Sequence, residues 1–219
     1  FDLEDAVSPA EKDAARILVR NTMRYMDFRG CEIIVRINSI DTAFWKQDID
    51  EILPYKPGLI LLPKTGSAED VKAADAYISQ VEEKLGMAQD TVGLMPLIET
   101  AMGVENAFAI ATAAKRVKAL FLGAEDLTAD LQCKRTKEGR EIEYARTRLV
   151  VAARAAGVDV YDTPFTDVND DEGIVKDAEL AKALGFTGKA SISPRHVEVI
   201  NTVFSPTQKD VDYAYEVMD

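Results

Sequence analysis

The chain has 219 residues, 47% of them hydrophobic, which is enough to bury one full core and suits a single α/β domain over residues 1–219. Its formal net charge of −12 excludes a nucleic-acid surface as the main partner, because phosphate contacts need a basic face that releases counterions. The two cysteines, Cys31 and Cys133, show no metal-ligand spacing and no apolar stretch is long enough to cross a membrane, so zinc and membrane are set aside and a reducing, cytoplasmic setting is expected.

Read in chain order, short apolar runs alternate with amphipathic ones. Strand-like runs begin near Phe1, Glu32, Leu59, Val92, Lys118, Val158 and Phe186. After the first, Ser8-Pro9-Ala10-Glu11 combines a capping serine, a proline at the first helical position and a glutamate three residues on, which predicts a helix to about Met26. Ser67-Ala68-Glu69-Asp70 repeats that logic before a helix to Leu85, with Gly86 placed to stop it. Further helices are predicted over 103–114, 144–156, 171–184 with Gly185 after it, and through the closing VDYAYEVMD; CKRTKEGREIE (133–143) reads as a loop. Seven strand runs are one short of the eight that close a (β/α)8 TIM barrel. The expected fold is therefore that barrel, with a first strand and helix missing from a sequence that opens on Phe1 without a methionine. A competing open doubly wound sheet finds no GxGxxG turn after the first run.

Charged residues sit where these runs end. Asp2, Glu4 and Asp5 end FDLED, Arg36 lies at the end of EIIVRIN, Lys64 closes GLILLPK, Glu99 closes VGLMPLIE, and Asp126 follows KALFLGAE. The carboxyl ends of parallel barrel strands converge on one face, so these side chains are expected to share one mouth.

Taken together, FDLEDAVSPAEKDAAR, IVRIN, LPKTGSAEDV, LIETAMGV, LGAEDLTADL, GFTGKASISPRHV and VFSPTQKDVDYA resemble the citrate lyase β-subunit branch of the HpcH/HpaI aldolase and malyl-thioester lyase superfamily. EKDAAR, LPKT, RTKEGRE and YAR point to that branch in particular. The resemblance implies an oligomeric eight-stranded barrel with Mg²⁺ at its mouth. It also implies retro-Claisen cleavage of a citryl thioester, carried on an acyl carrier protein or coenzyme A, to oxaloacetate and an acetyl thioester. A separate acyltransferase subunit that performs acyl exchange is implied on the same ground.

On the same footing Glu99 and Asp126 match the metal ligands and Arg36 the substrate-binding arginine. Glu4 and Asp5 match an acidic pair that orients Arg36 or holds metal-bound water. The amides of Gly123, Ala124 and Glu125 would hold an α-keto acid carboxylate. The base is left open among Asp5, a metal-activated water and a group from a neighbouring subunit. A stand-alone malyl-CoA or citramalyl-CoA lyase is the alternative within the superfamily, and an inactive scaffolding subunit the alternative outside catalysis.

Each residue has a plainer reading beside this one. Asp126 alone would be an N-cap, Arg36 an ion-pair partner of Glu4 or Asp5, and Lys64 either a substrate contact or a strand-end pair for a neighbouring acid. Lys12 and Arg16, four apart on the first helix, are candidates for the phosphates of phosphopantetheine or CoA, as is the cluster Lys134, Arg135, Lys137 and Arg140; a solvated charge run is the plainer account of both. His196 is expected at the surface or capping the helix after Pro194. Ser193-Pro194-Arg195-His196 departs from the family pattern, which has His or Asn before the proline and Gln two residues after it.

Overall fold

The computed structural model describes residues 1–218; Asp219, the last residue of the expected closing helix, lies outside them. Six strands form one all-parallel sheet in sequence order: β1 (Ile34–Arg36), β2 (Leu59–Leu62), β3 (Gly93–Ile98), β4 (Ala119–Leu122), β5 (Asp159–Asp162) and β6 (Gly188–Lys189). The run near Phe1 takes a seventh position, reduced to one parallel bridge between Asp2 and Arg36. The Leu3 N–H donates to the Arg36 carbonyl at 2.8 Å and the Arg36 N–H to the Phe1 carbonyl at 2.9 Å.

The sheet curls with helices on its outer face, as right-handed parallel crossovers require. The described residues form a curled α/β half-barrel of six parallel strands. Among the described residues no ladder joins β6 to the Asp2 segment, so one sheet edge stays unpaired.

The helices are α1 (Lys12–Tyr25), α2 (Trp45–Ile52), α3 (Ala68–Lys84), α4 (Ala101–Glu105), α5 (Ala107–Ala111), α6 (Ala124–Asp130), α7 (Glu143–Ala156), α8 (Asp171–Leu184), α9 (Pro194–Phe204) and α10 (Gln208–Met218). At Ser67 the capping box forms: its side chain accepts from the Asp70 N–H while the Asp70 carboxylate accepts from the Ser67 N–H. At Ser8 it does not. Pro9–Glu11 winds as a 3₁₀ turn closed by the Glu11 N–H on the Ser8 carbonyl at 3.0 Å, and the Ser8 side chain receives no capping bond. The helix expected over 103–114 is two short ones, α4 and α5. Asn106 interrupts them and reaches across to donate from Nδ2 to the Gly66 carbonyl at 2.8 Å. Gly185, at φ +102°, ends α8 where the sequence placed its stop.

Strand side chains alternate between two faces. Val35, Ile60, Leu62, Leu94, Ile98, Leu120, Leu122 and Val160 pack outward under the helices in the main core. Leu59, Leu61, Met95, Leu97 and Ala119 face inward, with Ile34, Phe121 and Tyr161 beside them. Both faces of the central strands are buried, which is why LILL and GLMPLI read as unbroken apolar runs. Each fully buried Leu or Ile contributes on the order of 2 kcal/mol. The same alternation aims Arg36, Glu99 and Gly123, two residues beyond Ile34, Leu97 and Phe121, along the inner face at the carboxyl ends of β1, β3 and β4.

Candidate active site at the strand ends

The Asp2 bridge lays the FDLED segment against β1, and this brings its carboxylates onto Arg36. Asp2 accepts from Arg36 Nε at 2.8 Å and Nη2 at 2.5 Å, a two-pronged contact matched to the planar guanidinium. The buried Glu4 carboxylate sits 3.0 Å from Arg36 Nη1 and 3.1 Å from Lys64 Nζ. Asp5 is exposed and lies 3.6 Å from Lys64 Nζ. Arg36 is thus held by Asp2 and Glu4, and Asp5 pairs with Lys64 instead. Burial works against the Arg36 cation, but the bonds and charge of Asp2, joined by Glu4 and Glu99, hold it above its ordinary range. The Lys64 ammonium is held above its ordinary range chiefly by Glu4, then by Asp5 and Asp126.

Glu99 leaves the end of β3 and is 4% exposed. Its Oε1 accepts from the Lys64 backbone N–H at 2.7 Å. Burial, with repulsion from Asp126 and Glu4, pushes its carboxyl up to about 7 against the pull of that amide and of Arg36. Asp126 stands exposed in the first turn of α6. Gly123, between β4 and α6, leaves room for the Glu99 side chain: a Cβ there would meet Glu99 Cβ and Oε2 at 2.8 Å.

This donor set fits a hard dication. Two carboxylates at one mouth repel each other and one is destabilised as an anion by burial, a conflict that a divalent cation relieves. Among the described residues no group of three His, Cys, Asp or Glu side chains is placed to hold a metal alone. Mg²⁺ is commonly held by one or two carboxylates with water and substrate oxygens completing its shell, so a pair suffices.

Other expected groups are used differently. Lys12 is buried, and its Nζ donates to the Leu3 carbonyl at 2.7 Å and the Glu4 carbonyl at 2.6 Å. Arg16 is buried against Asp48 at 2.7 Å, Asp13 at 2.5 Å and Gln47 at 3.0 Å. Both side chains are committed to contacts within the fold, which favours a structural role for them over phosphate binding. The Gly123 N–H donates to the Ile98 carbonyl at 2.9 Å and the Ala124 N–H to Thr163 Oγ1 at 3.2 Å, so these amides serve the fold rather than an incoming carboxylate, which leaves Glu125 alone of the three. Lys137 pairs with Asp167 and Asp170 at 2.5 and 3.1 Å, and Arg135 with Glu141 at 2.8 Å. His196 is buried, not at the surface, at 1% exposure near the Phe165 ring, and neither ring nitrogen has a hydrogen-bond partner.

Sequence reasoning did not give Asp2 a role at the site and missed a buried cluster at the ends of β5 and β6, on the side facing α7 and α8. In that cluster Arg146 bonds Asp162 at 2.9 and 2.8 Å and Asp177 at 2.8 Å, while Lys189 Nζ sits 2.7 Å from Asp162 and 2.5 Å from Asp177. Asp162 and Lys189 close strand runs just as Glu99 does, which was the available signal.

The family profile described as HpcH/HpaI aldolase/citrate lyase matches residues 1–194. The chain belongs to the HpcH/HpaI aldolase/citrate lyase family. Within that family it is 42% identical over 218 residues to the citrate lyase subunit beta of Leuconostoc mesenteroides subsp. cremoris, covering all of this chain and 72% of that one. It is 33% identical over 238 aligned positions to an L-malyl-CoA/beta-methylmalyl-CoA lyase of Cereibacter sphaeroides, covering all of this chain and 74% of that one. A citrate lyase beta subunit from Mycobacterium tuberculosis, solved with oxaloacetate and magnesium, superposes with a TM-score of 0.78 at 30% identity, over 94% of this chain and 86% of that one. A structure of the CitE protein from the same organism, with magnesium, acetoacetate and coenzyme A, gives 0.78 at 30% identity over all of this chain and 76% of that one.

Proposed function

We propose that this chain is a Mg²⁺-dependent carbon–carbon lyase of the citrate lyase β type, splitting a citryl thioester into oxaloacetate and an acetyl thioester. The observation that carries the reading is the buried Glu99 carboxyl, raised to about 7 and facing Asp126, with Arg36 and Lys64 across the same mouth. A closed (β/α)8 barrel, self-association, an acyl carrier protein, an acyltransferase subunit and a cytoplasmic setting belong to the same proposal. The exposed free thiols of Cys31 and Cys133 support the last of these.

Glu99 and Asp126 would hold the cation, which when bound would supply a Lewis acid that makes the substrate hydroxyl more acidic and neutralises the adjacent carboxylate. The remaining steps belong to the protein. Asp2 on the Nε/Nη2 edge and Glu4 at Nη1 fix the guanidinium plane of Arg36, so its remaining N–H groups present a preset donor to the carboxylate or to the enolate oxygen that develops as the bond breaks. Lys64, half exposed, binds a second substrate carboxylate. Asp5 is the carboxylate of the opening segment not engaged by Arg36, which suits its exposed oxygens to accept the hydroxyl proton. Loss of that proton forms the ketone of oxaloacetate, and the electron pair of the broken bond moves onto the thioester enolate, which is then protonated.

The test is oxaloacetate release from citryl-CoA with Mg²⁺ and with EDTA. Release that depends on Mg²⁺ and falls at least about 10³-fold in Glu99→Gln is the expected result. Release untouched by EDTA would overturn the metal site, and cleavage of malyl-CoA in place of citryl-CoA would move the chain to the malyl-thioester branch.

A further inference from the structure

The first turn of α6 carries Asp126, and where that turn begins is decided by contacts on two sides. On the β3 side the Gly123 N–H is bound to the Ile98 carbonyl, and the missing Cβ admits the Glu99 side chain. On the β5 side the Ala124 N–H donates to Thr163 Oγ1 at 3.2 Å. Thr163 is 1% exposed and immediately follows β5. Its own carbonyl accepts from the buried Lys189 Nζ at 2.6 Å. Lys189 is fixed in turn by Asp162 and Asp177, and both of those by Arg146.

We infer that Thr163 is a positioning residue for the Glu99/Asp126 cation site, and that the Arg146–Asp162–Lys189–Asp177 cluster is the anchor that holds it. The inference rests on the metal-site reading above. A four-membered cluster with two charges of each sign is costly to bury, and replacing it with apolar side chains would commonly leave stability unchanged or higher. Its placement gives it a use: it pins one carbonyl at the strand end, and the same residue's hydroxyl receives the first helical amide of α6. The Glu99-to-Asp126 separation is then set from both sides, through rigid strand ends, before any cation arrives. Groups that orient metal ligands commonly change metal affinity about 10- to 100-fold when they are removed.

The test uses the intact protein freed of metal and Mn²⁺ as the probe, its dissociation constant read by electron paramagnetic resonance. Thr163→Val keeps the shape and removes the acceptor, and it is expected to weaken Mn²⁺ about 10-fold, while Thr163→Ser restores affinity to within about twofold. Amide exchange at Ala124 is expected to speed up in the valine variant and to return in the serine variant. If Thr163→Val does not fold, Thr163→Cys, with a weaker acceptor of similar size, takes its place and is expected to lie between the two. Glu99→Gln separates the two readings. Wild-type Mn²⁺ affinity in Thr163→Val alongside lost affinity in Glu99→Gln would overturn the positioning role alone. Unchanged affinity in both would overturn the metal site and the positioning role with it. A valine variant with a lower melting temperature but the wild-type Mn²⁺ constant would show Thr163 to be structural only.

Discussion

Glu99 is the residue whose surroundings say most about the chemistry. Its carboxyl titrates at about 7 where an unperturbed glutamate would lose its proton near 4.5, because burial and two neighbouring acids favour the neutral form. A group whose charged form is disfavoured in the folded state makes the metal-free protein lose stability as pH rises from the unfolded to the folded value, here between about 4.5 and 7. The loss is on the order of 3 kcal/mol if the shift is expressed in full. Cation binding needs the anion, so Mg²⁺ affinity is expected to climb with pH up to about 7 and level off above it. Calorimetric titrations at pH 5.5, 6.5 and 7.5 check this, and an affinity flat across that range would remove Glu99 from the site. Arg36 was legible as a strand-end arginine, but its two-pronged partner Asp2 was not. The sequence places Asp2, Glu4 and Asp5 equally near a strand end, and only the parallel bridge decides which of them meets the guanidinium.

At the scale of elements, the strand runs and most helix boundaries could be read from apolar periodicity, whereas the departures came from contacts that no local pattern encodes. Ser8 and Ser67 share one motif, yet only Ser67 caps its helix, because Pro9 begins a 3₁₀ turn whose amides are placed differently. α2 was missed: its eight residues between β1 and β2 are too few for periodicity to stand out. Lys12 and Arg16 show how a helical charge pair misleads. Spacing puts them on one face, but it does not reveal that the face lies against the Leu3 and Glu4 carbonyls and against Asp48. Lys12→Met should therefore destabilise the fold by roughly 2–3 kcal/mol, leaving two buried carbonyls unpaired, while KM for a CoA thioester stays within about twofold under conditions where the variant is folded. Urea melts and steady-state kinetics separate these. A raised KM with unchanged stability would return Lys12 to the phosphate-binding role the sequence suggested.

Across the whole molecule, charge is distributed by place. Buried ion clusters brace the outer side of the sheet, and an unbalanced acidic group stands at its inner rim. Lys189→Met removes a cation that touches both buried aspartates from the β6 side, and it should cost about 3–5 kcal/mol because, among the described residues, Asp162 and Asp177 would remain buried with Arg146 alone to balance them. Thermal unfolding checks this, and a shift of less than about 1 kcal/mol would mean that the cluster relaxes to admit water. At the rim, among the described residues, the carboxylates of Asp2, Glu4, Asp5, Glu99 and Asp126 are set against two basic side chains, Arg36 and Lys64. A citryl group is itself a polyanion, so the acidic excess of the rim is expected to disfavour its binding unless a dication offsets it. Substrate binding is therefore expected to follow dication binding. Calorimetry is expected to show no heat of citryl-CoA binding in EDTA and saturable binding once Mg²⁺ is present, and the cell's free magnesium would set not just the rate of this enzyme but whether its substrate is seen at all.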